Sequence, residues 1–262
     1  MRPDARRQAL AILTLGDPLE KAAQARTLYA DLTDAAIDPD AQITATGPLP
    51  GRPPLPRLVP AQSVPTRSPF TLEGRAALLH AVTHIEFNAI NLALDAVWRF
   101  GHMPRAFYRD WLRVASEEAL HFTLLREHLL TLGHDYGAFD AHDGLWAMTD
   151  RTALDATARM ALVPRTLEAR GLDAAPPMQD KLRRAGDLHA VEILALILRD
   201  EVGHVAIGNH WYRWLCDRDG LDPVAHYATL AQRYAAPRLR PPFNRAARLA
   251  AGFTEAEIAL LQ

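Results

Sequence analysis

"EEALHF" at residues 117–122 and "DEVGHV" at residues 200–205 pose one problem twice. Each stretch places an acid, then a glutamate, two residues and a histidine, among helical neighbours that are apolar. Residues three and four apart share a helix face. Around Glu118 and His121 that face carries Trp111, Val114, Leu125 and Leu129; around Glu201 and His204 it carries Leu194, Ile197, Gly208 and Trp211. Both Glu-x-x-His pairs therefore lie in the stripe that an amphipathic helix turns toward a core.

Two lone glutamates complete the pattern. Glu86 interrupts the apolar face Leu79, Val82, Ile90, Ala93 and Val97, and Glu168 follows the less regular face Leu154, Ala158, Ala161 and Pro164. Glu-x-x-His by itself is a weak signal, expected by chance about half a time in a chain of this composition. The information lies in the order Glu, Glu-x-x-His, Glu, Glu-x-x-His, with Glu86 and Glu118 32 residues apart and Glu168 and Glu201 33 apart. Taken singly, Glu86 would be a salt-bridged group, and His121 and His204 hydrogen-bonded core histidines. Taken together, four carboxylates in an apolar interior are each unfavourable by several kcal/mol and repel one another. Cations resolve both problems. Carboxylates and imidazoles suit a pair of divalent transition metals, iron first and manganese or a mixed pair after it. One carboxylate from each of two helices, with Glu-x-x-His from each of the other two, is a known dinuclear arrangement of helix bundles. The expected metal ligands are thus Glu86, Glu118, His121, Glu168, Glu201 and His204. Glu117 and Asp200, one residue before each motif, are expected to accept the free N–H of the histidine on the facing helix, Glu117 from His204 and Asp200 from His121.

Working outward, the chain reads as all-α, a ferritin-like four-helix bundle with additions at both ends. Residues 1–69 are expected to hold one or two short helices and a proline-rich arm, residues 70–217 the bundle, and residues 218–262 an extension packed on it. Bundle helices are expected over about Leu72–Phe100, Arg105–Leu132, Leu145–Arg170 with a kink at Pro164, and Leu188–Asp217 capped by Asp187; "GLDAAPP" is read as ending the third, with a short helix near Met178–Ala185. Glu86 and Glu118 each lie sixteen residues from His102, about 24 Å along an antiparallel pair, so they should be level. Glu168 and Glu201 are level only if residues 171–186 make an irregular excursion. "DPDAQITATGPLPGRPPLPRLVPAQSVPTRSP" is too rich in proline for helix or central strand, and its Leu55, Leu58 and Val59 suggest an arm laid on a surface.

The bulk properties exclude several classes. Net charge is −2, so nothing global recruits nucleic acid or an anionic membrane. Cys216 is the single cysteine, which rules out an intramolecular disulfide or a cysteine metal cluster. No apolar run reaches transmembrane length, and no signal-peptide cleavage pattern follows the start, so a cytoplasmic protein is expected.

The stretches "HAVTHIEFNAINLALDAVWRF", "VASEEALHFTLLREHL", "ARMALVPRTLEARGLDAAPPM" and "LRDEVGHVAIGNHWY" resemble an uncharacterised bacterial branch of the ferritin-like superfamily, catalogued as a domain of unknown function, number 455. The likeness spans nearly the whole chain, including "PGRPPLPRLVP" and "PPFNRAARLAAGF". It implies a dinuclear iron or manganese centre at the six residues named above and implies no substrate. The acid-Glu-x-x-His form also resembles oxygen-activating di-iron hydroxylases and the ribonucleotide reductase radical subunit, at superfamily level.

The function expected is an O₂-activating oxidoreductase acting on a small organic molecule. The arm, the 133–144 loop and the C-terminal residues are material that could roof a pocket. "RYAAPRLRPPFNRAAR" has five arginines and no acid; it is read as a solvated tail, or else a grip for an anionic substrate group. The alternative function is a ferroxidase or metal-storage protein. A tRNA-modifying enzyme and a metal-stabilised interaction protein are weaker readings, and a homodimer is left open.

Overall fold

The computed structural model describes residues 4–261, and among them the fold is all-α, without strands. The chain divides after Gly144 into two compact units. The division falls at the loop that follows the second long helix, within the span 70–217.

The first unit holds α1 (Ala5–Leu13), α2 (Pro18–Ala30), α3 (Leu72–Arg99) and α4 (Arg105–Thr131). The sequence starts and stops them by ordinary capping chemistry. Asp17 accepts from the N–H groups of Leu19 and Glu20 with Pro18 in the first turn, and Thr71 accepts from Gly74. Gly133, at φ +80°, ends α4, and the His134 N–H returns to the Leu129 carbonyl. Helices α3 and α4 are joined by residues 100–104 and pack along one another, while α1 lies on α3 and α2 on α4.

The proline-rich arm forms no long element, as its composition requires, and it does lie against this unit. It is fastened differently from the expectation. Leu55 and Leu58 are exposed, 56% and 39%. The arm is held by its backbone and by charges: Val59 N–H to the Ala141 carbonyl at 2.8 Å, Ala141 N–H to the Arg57 carbonyl at 3.0 Å, and Gly51 N–H to the Leu13 carbonyl at 2.9 Å. Arg57 pairs with Asp140, and Arg52 with Asp143. Backbone groups that proline-rich chain cannot pair internally find partners on the 133–144 loop and α1. Lys21, fully buried, donates from Nζ to the Gly51 carbonyl at 2.7 Å and to Asn91 Oδ1 at 2.6 Å.

The second unit holds α5 (Gly144–Arg151), α6 (Ala156–Leu162), a π-helical stretch (Val163–Glu168), α7 (Ala169–Arg184), α8 (Leu188–Asp219), α9 (Pro223–Arg233), α10 (Arg245–Ala250) and α11 (Glu255–Ala259). Asp187 caps α8 as expected, accepting from Ala190, and Gly220 ends it at φ +67°. The expected third helix, Leu145–Arg170, is instead two helices broken at residues 152–155, because Asp155 caps a new start at Ala156. Nor does "GLDAAPP" end it: α7 runs through Pro176 and Pro177. Pro176 supplies no N–H to the carbonyl four residues back, and that carbonyl, of Leu172, accepts instead from Asn244 Nδ2 at 3.1 Å.

The C-terminal residues complete this unit. Ala251, Phe253 and Ile258 bury themselves with Ala169, Leu172 and Val205. Two of the five arginines in residues 233–248 are committed to structure or to a partner: Arg248 is buried against Asp173 at 2.6 Å, and Arg245 pairs with Glu255. No helix among the described residues is long and apolar enough to cross a membrane.

Candidate metal centre

Two helices of the first unit carry three of the six expected ligands. The face expected to be apolar is buried: Trp111, Val114, Leu125 and Leu129 are each at most 1% exposed. Glu118 and His121 sit in it at 0% exposure, and Glu86 enters from α3 at 3%. The equal spacing from the 100–104 turn places the two glutamates level. His121 Nδ1 is 3.2 Å from Glu86 Oε2 and 3.3 Å from Glu118 Oε2. One ligand atom from each of the three residues lies within 4.8 Å of those of the other two.

This is an electrostatic trap for a cation. Burial first and the charge of Glu118 second, against the attraction of His121, raise the Glu86 carboxyl from 4.5 to about 8. The point between His121 Nδ1 and the two carboxylates is the kind of place where a metal ion would stand. Carboxylate oxygens and one imidazole nitrogen suit Fe(II) and Mn(II), so the donors fit the expected metals. This buried group of Glu and His residues can hold a metal ion.

The second unit carries the other three expected ligands. His204 is fully buried on α8, with Nδ1 3.5 Å from Glu201 Oε1. Glu201 Oε2 has no hydrogen-bond partner among the described residues. Glu168 is buried, 8% exposed, as the last residue of the π-helical stretch. Glu117 lies 3.5 Å from Arg113 on its own helix, and Asp200 lies 2.8 Å from Arg199.

Histidines that the sequence reading did not single out, His80 and His84, join Tyr136, which it expected to pack, in a layer of the first unit. Tyr136, from the 133–144 loop, packs on Phe87 at 5.5 Å and Phe122 at 5.2 Å between ring centroids. Those two residues are the sequence neighbours of Glu86 and His121. Tyr136 Oη is 2.8 Å from His84 Nδ1. Asn88 Nδ2 donates to the His84 carbonyl and stands 3.0 Å from His84 Nε2, which puts the ring proton on Nδ1, facing the tyrosine. Burial, with like charges nearby, lowers His84 to about 3 and His80 to about 4, so both are neutral at pH 7. The signal available in sequence was the pair His80 and His84, four residues apart on one helix face.

The family described as "Protein of unknown function (DUF455)" matches residues 14–259. An uncharacterised protein of Haemophilus influenzae is 47% identical over 262 residues, covering 96% of this chain and 91% of the relative. No solved structure matches the chain.

Proposed function

This chain belongs to the DUF455 family, and from that premise we propose that it is a dinuclear metal protein, an O₂-activating oxidoreductase acting on a small organic substrate. Glu86, Glu118 and His121 form one half of its ligand set, and Glu168, Glu201 and His204 the other. The pairing of the halves rests on the sequence order Glu, Glu-x-x-His, Glu, Glu-x-x-His. The observation that carries the reading is the sealed cluster of the first unit: two carboxylates and an imidazole, at most 3% exposed, meeting at one nitrogen. Such a group is costly without a cation and well made for one.

When bound, a pair of reduced irons supplies the electrons with which O₂ is activated. The chain's own residues do the rest. Glu86 and Glu118 would hold the cations from α3 and α4 and neutralise their charge. His121 and His204 supply nitrogen donors. Glu117 and Asp200, in this reading, steady the histidine rings. Tyr136, Phe87 and Phe122 keep water from the first half-site, as chemistry on an organic molecule requires.

The test is metal analysis of protein purified without oxygen, followed by O₂ uptake. Two equivalents of iron or manganese per chain are expected. Glu118→Ala with His121→Ala should remove bound metal while circular dichroism stays helical. Oxygen uptake that waits for an added organic substrate favours the oxidoreductase. Rapid Fe(II) oxidation with no co-substrate turns the reading toward ferroxidase and storage. Unchanged metal content in the double variant shows the site to be elsewhere.

A further inference from the structure

The residues leading into Glu168 depart from the α-helix in an organised way. Over Val163–Glu168 the helix widens to a π turn, and the Ala169 N–H reaches the carbonyl of Pro164, five residues back. Thr166 Oγ1 donates to the Ala161 carbonyl, also five back, at 2.8 Å. Val163, at φ −92° and ψ −76°, carries the distortion.

Three residues account for this turn. Pro164 has no N–H for the carbonyl of Met160, so the α ladder is broken there. Its ring is seated on α8 at Gly208: a Cβ on that glycine would stand 2.5 Å from Pro164 Cβ and 2.6 Å from Cγ. Thr166, whose hydroxyl takes the Ala161 carbonyl, is itself held 2.9 Å from the Tyr227 hydroxyl. Glycine inside a helix is disfavoured by about 1 kcal/mol against alanine; close approach of the proline ring explains why one sits at 208. Each residue advances an α-helix by roughly 100°, so an extra residue in one turn re-aims the next side chains along the helix. Glu168, at the end of the widened turn, is among them.

We infer that Pro164, Gly208 and Thr166 are positioning residues: the seat of Pro164 on Gly208 imposes the wide turn, and the turn sets the direction from which Glu168 serves as a metal ligand. The inference rests on the metal reading above.

The experiment uses the full chain as wild type, Gly208→Ala, Pro164→Ala and, as control, Gly171→Ala, where an added methyl meets nothing within 4 Å. Co(II) is titrated into the metal-free proteins and followed by visible absorption and by bound equivalents. Hydrogen exchange over residues 160–169 is measured on the same proteins without metal. Wild type and Gly171→Ala should take two equivalents with the same spectrum. Gly208→Ala and Pro164→Ala should hold one of the two at least tenfold more weakly, with a changed spectrum and unchanged helicity. Pro164→Ala should also slow exchange over 160–169, as the restored N–H lets the α ladder close. A purely structural role would lower the melting temperature and leave the Co(II) spectrum alone, and that result overturns the inference. Unaltered exchange in Pro164→Ala overturns the claim that proline imposes the turn. If wild type itself binds no Co(II), the metal reading fails and the ligand role of Glu168 with it, while the exchange data still judge the turn.

Discussion

Carrying the metal-free protein from pH 5 to pH 8 should destabilise it, and Glu86 should be the reason. Glu86 is buried beside Glu118, and its carboxyl is raised from 4.5 to about 8, by desolvation first and by the charge of Glu118 second. Between those values the folded protein keeps a proton that the unfolded chain releases. The stability is therefore present in full below about pH 4.5 and is lost as pH rises toward 8. At ~1.4 kcal/mol per pKa unit, the loss approaches about 4–5 kcal/mol. A divalent ion in the proton's place cancels the effect. Urea unfolding of chelator-treated wild type at pH 5, 6, 7 and 8 should show the decline; metal-loaded wild type should not. Glu86→Gln cannot ionise, so its metal-free profile should be flatter by several kcal/mol over this range. Parallel profiles for wild type and Glu86→Gln would refute the electrostatic argument on which the metal site rests, since the pair would then be at ease without a cation.

Two further predictions concern the support of the first half-site. Arg6 is buried and donates to five carbonyls, those of Val97 and Trp98 in the last turn of α3 and those of Asp38, Pro39 and Ala41. Arg6→Met should cost about 3–5 kcal/mol in urea unfolding, since several buried acceptors lose a charged donor at once; a change below about 1 kcal/mol would show that water replaces it. Lys21 is lowered from 10.5 to about 7, by burial and then by Arg52, so the unfolded chain binds a proton that the folded one has released between pH 7 and 10.5. Stability should rise with pH over that window and be lost as pH falls through 7. Lys21→Met should abolish this rise, and an unchanged pH profile would count against the burial of the amine.

Much of the candidate site was legible in the sequence. The six candidate ligands stand out because charge on an apolar stripe is expensive, and the level placement of Glu86 and Glu118 comes from equal counts along two helices of fixed rise. Capping residues such as Asp17 and Asp187 announced their helices because an orphan N–H donates to a local side chain whatever the rest of the protein does. The third helix shows where that reasoning stops. Its break at Asp155 was a capping signal hidden in an apolar run, and its passage through Pro176 and Pro177 contradicts every local rule. Asn244, 68 residues beyond Pro176, supplies the donor that proline withholds, and no window of neighbouring sequence contains it.

The sequence alone settled that the chain is helical, where most helices begin and end, and which charged residues a core must accommodate, because periodicity, caps and the cost of buried charge act over a few residues. Tertiary structure alone decided that the arm is held by its backbone and not by its leucines, that Tyr136 packs on Phe87 and Phe122, and that the helix before Glu168 widens against Gly208. Each of those is a contact between residues far apart in the chain, and contacts of that kind depend on how helices pack, which local pattern does not encode.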